Sequence, residues 1–318
     1  MKTRTKPKTI GLIGAGMVGS SFAYALMQRG IVGELVVLDA NHARAVGEVM
    51  DLNHGISFAS AMTIRAGDYA DLRDADVVVI TAGTNQKPGE TRLDLLQRNT
   101  VIMQDVMGKL LAVNTHAIVV IAANPVDIMT EVAVRYAPTL PHGQIFGSGT
   151  ILDTARFRYL LGQHYAVSAN SVHAYIIGEH GDSEVAVWSR ANIAGVGLDE
   201  FVGPNGQGYD QAALYRIYEQ TRDAAYEIIE RKGSTYYAIG LGLLHIVEAI
   251  VREQNKIMTV CAPMDGHYGI TDMCVSVPMV VGMDGVEKIL DIHLADDELA
   301  ALHHSADTLK QALTEVRL

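Results

Sequence analysis

Runs of four apolar residues punctuate the first half of the chain. Ile10 to Ile13, Leu35 to Leu38, Val77 to Ile80 and Ile118 to Ile121 each give way within three residues to Gly, Asp or Asn. Short continuous runs with such endings predict strands buried on both faces, as in a parallel sheet. Between the last two runs, Leu95, Leu96, Ile102, Met103, Val106, Leu110 and Leu111 recur at helical spacing within Thr91 to Val113, one face of a crossover helix. Strands alternating with helices at this interval predict an open α/β sheet wound from βαβ units.

The pattern changes after Gly147-Ser-Gly149. A helix is predicted over Ile151 to Leu161, an extended segment over Ser171 to Ile177, and a loop at Gly203-Pro-Asn-Gly-Gln-Gly208. An amphipathic helix follows from Gln211 to Lys232, with Leu214, Ile217, Ala224, Ile228 and Ile229 on one face. Near the end, Leu299, Leu302, Ala306, Leu309, Leu313 and Val316 form a helical stripe that packs on the domain or on a neighbouring subunit. The division expected is residues 1–149, a doubly wound parallel sheet, and residues 150–318, a mixed α+β domain.

Composition narrows the function classes. With 49% hydrophobic and 19% charged positions the chain can bury a sizeable core. Lys plus Arg number 25 against 36 Asp plus Glu, a net charge of −11 that repels nucleic acid. Cys261 and Cys274 lie in no zinc or disulfide spacing, so no metal site is expected and the thiols are expected reduced. The short basic lead before the first strand has no signal-peptide core, and no run reaches membrane length; a cytoplasmic location is the expectation.

Gly14-Ala-Gly16-Met-Val-Gly19 follows the first strand and opens a helix through Ser20 to Gln28. In that context Gly14 permits a tight turn, Gly16 lets a pyrophosphate approach the backbone, and Gly19 lets helix and strand pack closely, the helix N-terminus facing the anion. Asp39 ends the second strand, where a carboxylate can accept from an adenosine ribose and would repel a 2′-phosphate. The expected cofactor is therefore NAD, on a Rossmann-type fold.

Four further stretches are informative: Gly83-Thr-Asn-Gln-Lys-Pro-Gly-Glu-Thr-Arg92, Asn124-Pro-Val-Asp127, Leu152-Asp-Thr-Ala-Arg-Phe-Arg158 and Gly178-Glu-His-Gly-Asp-Ser183. Together they resemble the L-lactate and malate dehydrogenases, in the family's order and across nearly the whole chain. The resemblance implies an NAD-binding domain followed by a substrate domain, hydride exchange between NAD and a 2-hydroxy acid, and a homotetramer. It adds Val18, Arg44, Tyr69, Gly83, Ala122 and Asn124 to the cofactor's surroundings.

Reducing a 2-keto acid needs a hydride donor, a proton donor, a cation beside the developing oxyanion and a clamp on the carboxylate. His180 is the candidate acid, Asp153 its partner, and Arg156 the carboxylate fork. Asp153 and Arg156 stand three apart on one helix and can share a site, whereas Arg158, about 200° round from Arg156, should point elsewhere. By resemblance the Asn85-to-Thr91 loop is a lid that brings Arg92 to the carbonyl, Asn124 is a strand-end amide touching cofactor and substrate, and Thr235 lines the substrate pocket. Asn124 and Thr235 could equally be turn or helix caps.

Gln86 occupies the place where malate dehydrogenases carry arginine for a second carboxylate. A neutral Gln86 favours pyruvate over oxaloacetate. Arg158 and His173 match the positions that bind fructose 1,6-bisphosphate in allosteric bacterial members of the family. The alternatives are a malate or branched 2-hydroxy acid dehydrogenase, an NAD-dependent glycosidase, which would need a metal-binding Cys/His pair, and a non-catalytic NAD-binding protein.

Overall fold

A computed structural model of the chain describes residues 7–84, 89 and 91–316, without the Arg92 side chain. The four expected strands are present as β1 (Thr9–Ile13), β2 (Glu34–Leu38), β4 (Val77–Ile80) and β5 (Ile118–Ile121), joined by β3 (Thr63–Ala66) and β6 (Ile145–Gly147). All six run parallel in the order β3-β2-β1-β4-β5-β6. Strand β3 escapes the apolar-run criterion because it is an edge strand in which Ile64 alone is buried. Strand β6 is only three residues long.

Helices α1 (Met17–Arg29), α2 (His42–Gly55), α3 (Arg92–Leu111) and α4 (Val126–Tyr136) cross between these strands. The N-cap Thr91 of α3 exchanges hydrogen bonds with Asp94, which fixes where the helix starts. The glycine turn follows β1, where the strand order reverses from β2 on one side to β4 on the other. In open α/β sheets such a reversal leaves a crevice at the carboxyl ends of the strands.

Helix α5 (Ile151–His164) extends one turn beyond the expected end. The expected extended segment from Ser171 to Ile177 divides into a 3₁₀ turn, β7 (Val172–His173) and β8 (Ile176–Ile177). Short strands β9 (Val185–Ala186), β10 (Asn192–Ile193) and β11 (Val196–Gly197) complete two small antiparallel sheets. These close a second core around Phe157, Leu161, Tyr165 and Ile193.

Helix α6 (Gln211–Lys232) has the expected bounds, but its apolar face is buried only in the first half. Leu214 and Ile217 are buried with Thr221, whereas Ala224 and Ile228 are half-buried and Ile229 is exposed. After α7 (Tyr237–Val251), strands β12 (Lys256–Pro263), β13 (Cys274–Gly282) and β14 (Gly285–Ile289) continue the first sheet beyond β6 in antiparallel fashion, making nine strands. Finally α8 (Asp296–Thr314) packs on β9 and α4 through Leu302, Ala306, Leu309 and Leu313, so its stripe faces this chain's own core. Among the described residues no helix is long and apolar enough to cross a membrane.

Candidate active site

The glycine turn has the geometry its three glycines suggest. Gly14 has φ +108°, and a Cβ there would lie 2.7 Å from the Ala82 nitrogen. A Cβ on Gly19 would lie 2.0 Å from the Gly14 oxygen, so no side chain fits between α1 and the turn. A Cβ on Gly16 would meet nothing within 4 Å. Gly16 is also the N-cap of α1, with no side chain capping the helix and no acid in its first turn. The first N–H groups of α1 thus have no side-chain cap, and a diphosphate suits them.

Asp39 lies beside this opening, its two oxygens accepting from the N–H groups of Ala15 and Asn41 at 2.8 Å each. A carboxylate has about four lone-pair sites, so acceptor capacity remains for ribose hydroxyls. Arg44 donates from Nε to the Ala15 oxygen at 2.7 Å. Val18 and Ala122 are half-buried and Gly83 is exposed along the same strand ends. Tyr69 opens a 3₁₀ turn after β3, with the Lys109 ammonium 5.8 Å from its ring centre.

On the other side of the crevice, β6 turns through Ser148 and Gly149 into α5. Asp153 in the first turn of α5 is 3% exposed; one of its oxygens lies 2.6 Å from His180 Nδ1 and the other accepts from Arg156 Nη1 at 2.9 Å. The Asp153 charge pushes the His180 imidazole up to about 9 against the opposing effect of burial. Burial works against the Asp153 carboxylate too, yet the His180 charge and hydrogen bond keep it below its ordinary range. With Nδ1 engaged, Nε2 is the ring nitrogen left for a reacting group.

Distant elements fix the His180 loop. Gly178 exchanges backbone hydrogen bonds with Ser276 of β13, the Glu179 N–H donates to Ser305 Oγ of α8 at 2.6 Å, and the His180 N–H donates to Asp127 at 2.8 Å. Ser183 Oγ donates to the Glu179 carboxylate at 2.5 Å. Asp127 is fully enclosed, which pushes its carboxyl up, and its second oxygen accepts from Ser276 Oγ at 3.3 Å. Asp127 stands within a sequence motif that does not reveal this bracing task, and nothing in the sequence around Ser305 signals its part.

The remaining expected residues are distributed as follows. Asn124 is exposed just beyond the end of β5, and its carbonyl accepts from Asn99 Nδ2 at 2.9 Å. Asn99 also accepts from the Thr84 N–H at 3.0 Å, tying α3 to the ends of β4 and β5. Thr235 is half-buried in the connection between α6 and α7. Gln86 and the Arg92 side chain lie outside the described residues. Arg158 points away from Arg156: its Nε donates to the Ala174 oxygen at 2.8 Å and its guanidinium lies 5.2 Å from the Tyr175 ring centre. His173, next to Ala174, is exposed. Cys261 and Cys274 are free and buried, and no metal-holding group of His, Cys, Asp or Glu occurs among the described residues.

A glycine turn at a helix N-terminus, a carboxylate with free acceptor capacity beside it, and a buried acid holding an imidazole and a guanidinium together suit a dinucleotide-dependent oxidoreductase. The comparisons with known proteins give the family. Residues 8–147 match the NAD-binding domain of the lactate/malate dehydrogenases and residues 150–317 match their α/β C-terminal domain, so the chain belongs to the lactate/malate dehydrogenase family. An L-lactate dehydrogenase of Acetivibrio thermocellus is 49% identical over 306 residues, 96% of either chain, and one of Bacillus caldolyticus is 50% identical over 303 residues, 95% of either. The solved minor L-lactate dehydrogenase of Enterococcus mundtii superposes with a TM-score of 0.95 at 39% identity, covering 99% of this chain and 100% of that one. A lactate dehydrogenase from a deep-sea metagenome library of the Medee basin gives 0.93 at 42% identity, over 98% and 99%.

Proposed function

We propose that the chain is an L-lactate dehydrogenase that interconverts pyruvate and L-lactate with NAD, His180 being the proton donor in reduction. The observation that carries this is the 2.6 Å contact of a buried Asp153 with His180 beside the Arg156 guanidinium. Bound at the glycine turn, the cofactor supplies the hydride. The chain's own residues do the rest. Arg156 has five N–H donors and gives Asp153 one nitrogen, leaving a donor edge for the substrate carboxylate. His180 Nε2 passes its proton to the carbonyl oxygen, and Asp153 favours the charged imidazole beforehand and fixes its orientation. Arg92 polarises the carbonyl from the end of the lid, Asn124 and Thr235 line the pocket, and Gln86 selects a methyl group over a second carboxylate.

Two finer readings go with this one. Arg158 and His173 form a fructose 1,6-bisphosphate site, supported by the seating of Arg158 on the backbone next to His173. A homotetramer is supported by large apolar side chains left in solvent, among them Phe58, Met50, Tyr237 and Leu241, and by a cavity of about 760 Å³ between α1 and α7. The free, buried thiols of Cys261 and Cys274 favour a reducing, cytoplasmic location.

The test of the central role is His180→Gln. Pyruvate reduction should fall by roughly a hundredfold or more while NADH binding, followed by fluorescence, is unchanged. Retained turnover would remove His180 from the reaction.

A further inference from the structure

Glu184 follows the His180 motif directly and precedes β9, and only 4% of it is exposed. Its backbone is fixed: the N–H donates to the Gly181 oxygen at 3.1 Å and the carbonyl accepts from the Tyr218 hydroxyl at 2.6 Å. The side-chain Oε1 is enclosed with no hydrogen-bond partner among the described residues. Helix α5 contributes Asp153 and Arg156 to its surroundings, the loop contributes His180, and α6 contributes Arg222 and Tyr218. Both cations are engaged elsewhere, Arg156 with Asp153 at 2.9 Å and Arg222 with Asp223 at 2.8 Å. A buried carboxylate without a paired cation is strongly disfavoured, and such groups take up a proton.

The protonation state matters for the substrate. An ionised Glu184 packed against this set would compete with the substrate carboxylate for the Arg156 cation. We propose that Glu184 is carried as a neutral acid against the His180–Asp153–Arg156 set, a positioning residue whose lack of charge reserves the Arg156 cation for the substrate carboxylate. Burial first, and then the Asp153 charge, push its carboxyl up to about 9, the range in which His180 also titrates. The inference rests on the tasks given above to Arg156 and His180.

The test is the pH profile of kcat/KM for pyruvate with saturating NADH in the wild type and in Glu184→Gln, a neutral near-isostere. At pH 7 the variant should lie within about twofold of the wild type, since neither carries a charge there. Well above pH 9, log kcat/KM should fall with a limiting slope of about −2 in the wild type and about −1 in the variant, because two protons are needed in one and a single proton in the other. A slope of about −1 in both overturns the Glu184 proposal and leaves His180 standing. A slope of about −1 in the wild type and zero in the variant overturns the His180 reading instead, and a flat profile in both overturns the two together. A change beyond about tenfold at pH 7 with NADH binding intact shows a charged Glu184 and also overturns the proposal. If Glu184→Gln does not fold, Glu184→Leu carries the same expectations.

Discussion

At the scale of single residues, the chemistry turns on what each carboxylate holds. Asp153 supports a charged imidazole, so its removal has a signed consequence. In the native protein His180 is protonated below about 9, and pyruvate reduction should persist up to that pH and decline above it, while lactate oxidation gains. Asp153→Asn leaves burial as the dominant influence on His180; the alkaline limb should move down by about one unit or more, measured from kcat/KM against pH. Asp39 has a different duty beside the glycine turn. Asp39→Ser should reduce the preference for NADH over NADPH by about tenfold or more in competing kcat/KM measurements, since the carboxylate that repels a 2′-phosphate is gone. Arg156 and His180 could be picked out of the sequence because each stands inside a motif several residues long. Glu184 could not, because one residue past the motif nothing distinguishes a buried glutamate from a solvated one. The exposure of Asn124 is unreadable for a similar reason: a strand ending in an apolar core says nothing about whether the next amide opens into a cleft.

At the scale of elements, the catalytic loop is held by pieces far away in the chain. Ser305 accepts the Glu179 N–H from α8, 126 residues distant, and is itself fully buried. Ser305→Ala would leave that donor unpaired, and stability should fall by about 1–3 kcal/mol in chemical denaturation. Because the same bond sets the backbone one residue before His180, kcat should fall more than NADH affinity. The long strands and helices of the first half were legible, since buried parallel strands and amphipathic helices each write a period into the sequence. The edge strand β3, the three-residue β6 and the two-residue strands β9 to β11 write none. Helix α6 was placed correctly by its period, yet its second half keeps Ile229 and Tyr226 largely in solvent, because a helical stripe does not say what covers it.

At the scale of the whole molecule, the sheet and the surface charge have to be considered together. Strands β12, β13 and β14 extend the parallel sheet past β6, so the Asp153 helix and the Ser276 strand that braces the His180 loop grow from one nine-stranded platform. A net charge of −11 repels an anionic 2-keto acid at long range, and attraction must come from local cations such as Arg156. If Arg158 and His173 take a sugar bisphosphate, adding fructose 1,6-bisphosphate at subsaturating pyruvate should raise the rate and the solution mass measured by light scattering, and Arg158→Gln should abolish both responses. The choice of substrate is decided by kcat/KM with NADH for pyruvate and oxaloacetate side by side. Pyruvate should be preferred by about a hundredfold or more, the cost of a second carboxylate without a cation. A preference for oxaloacetate would contradict it.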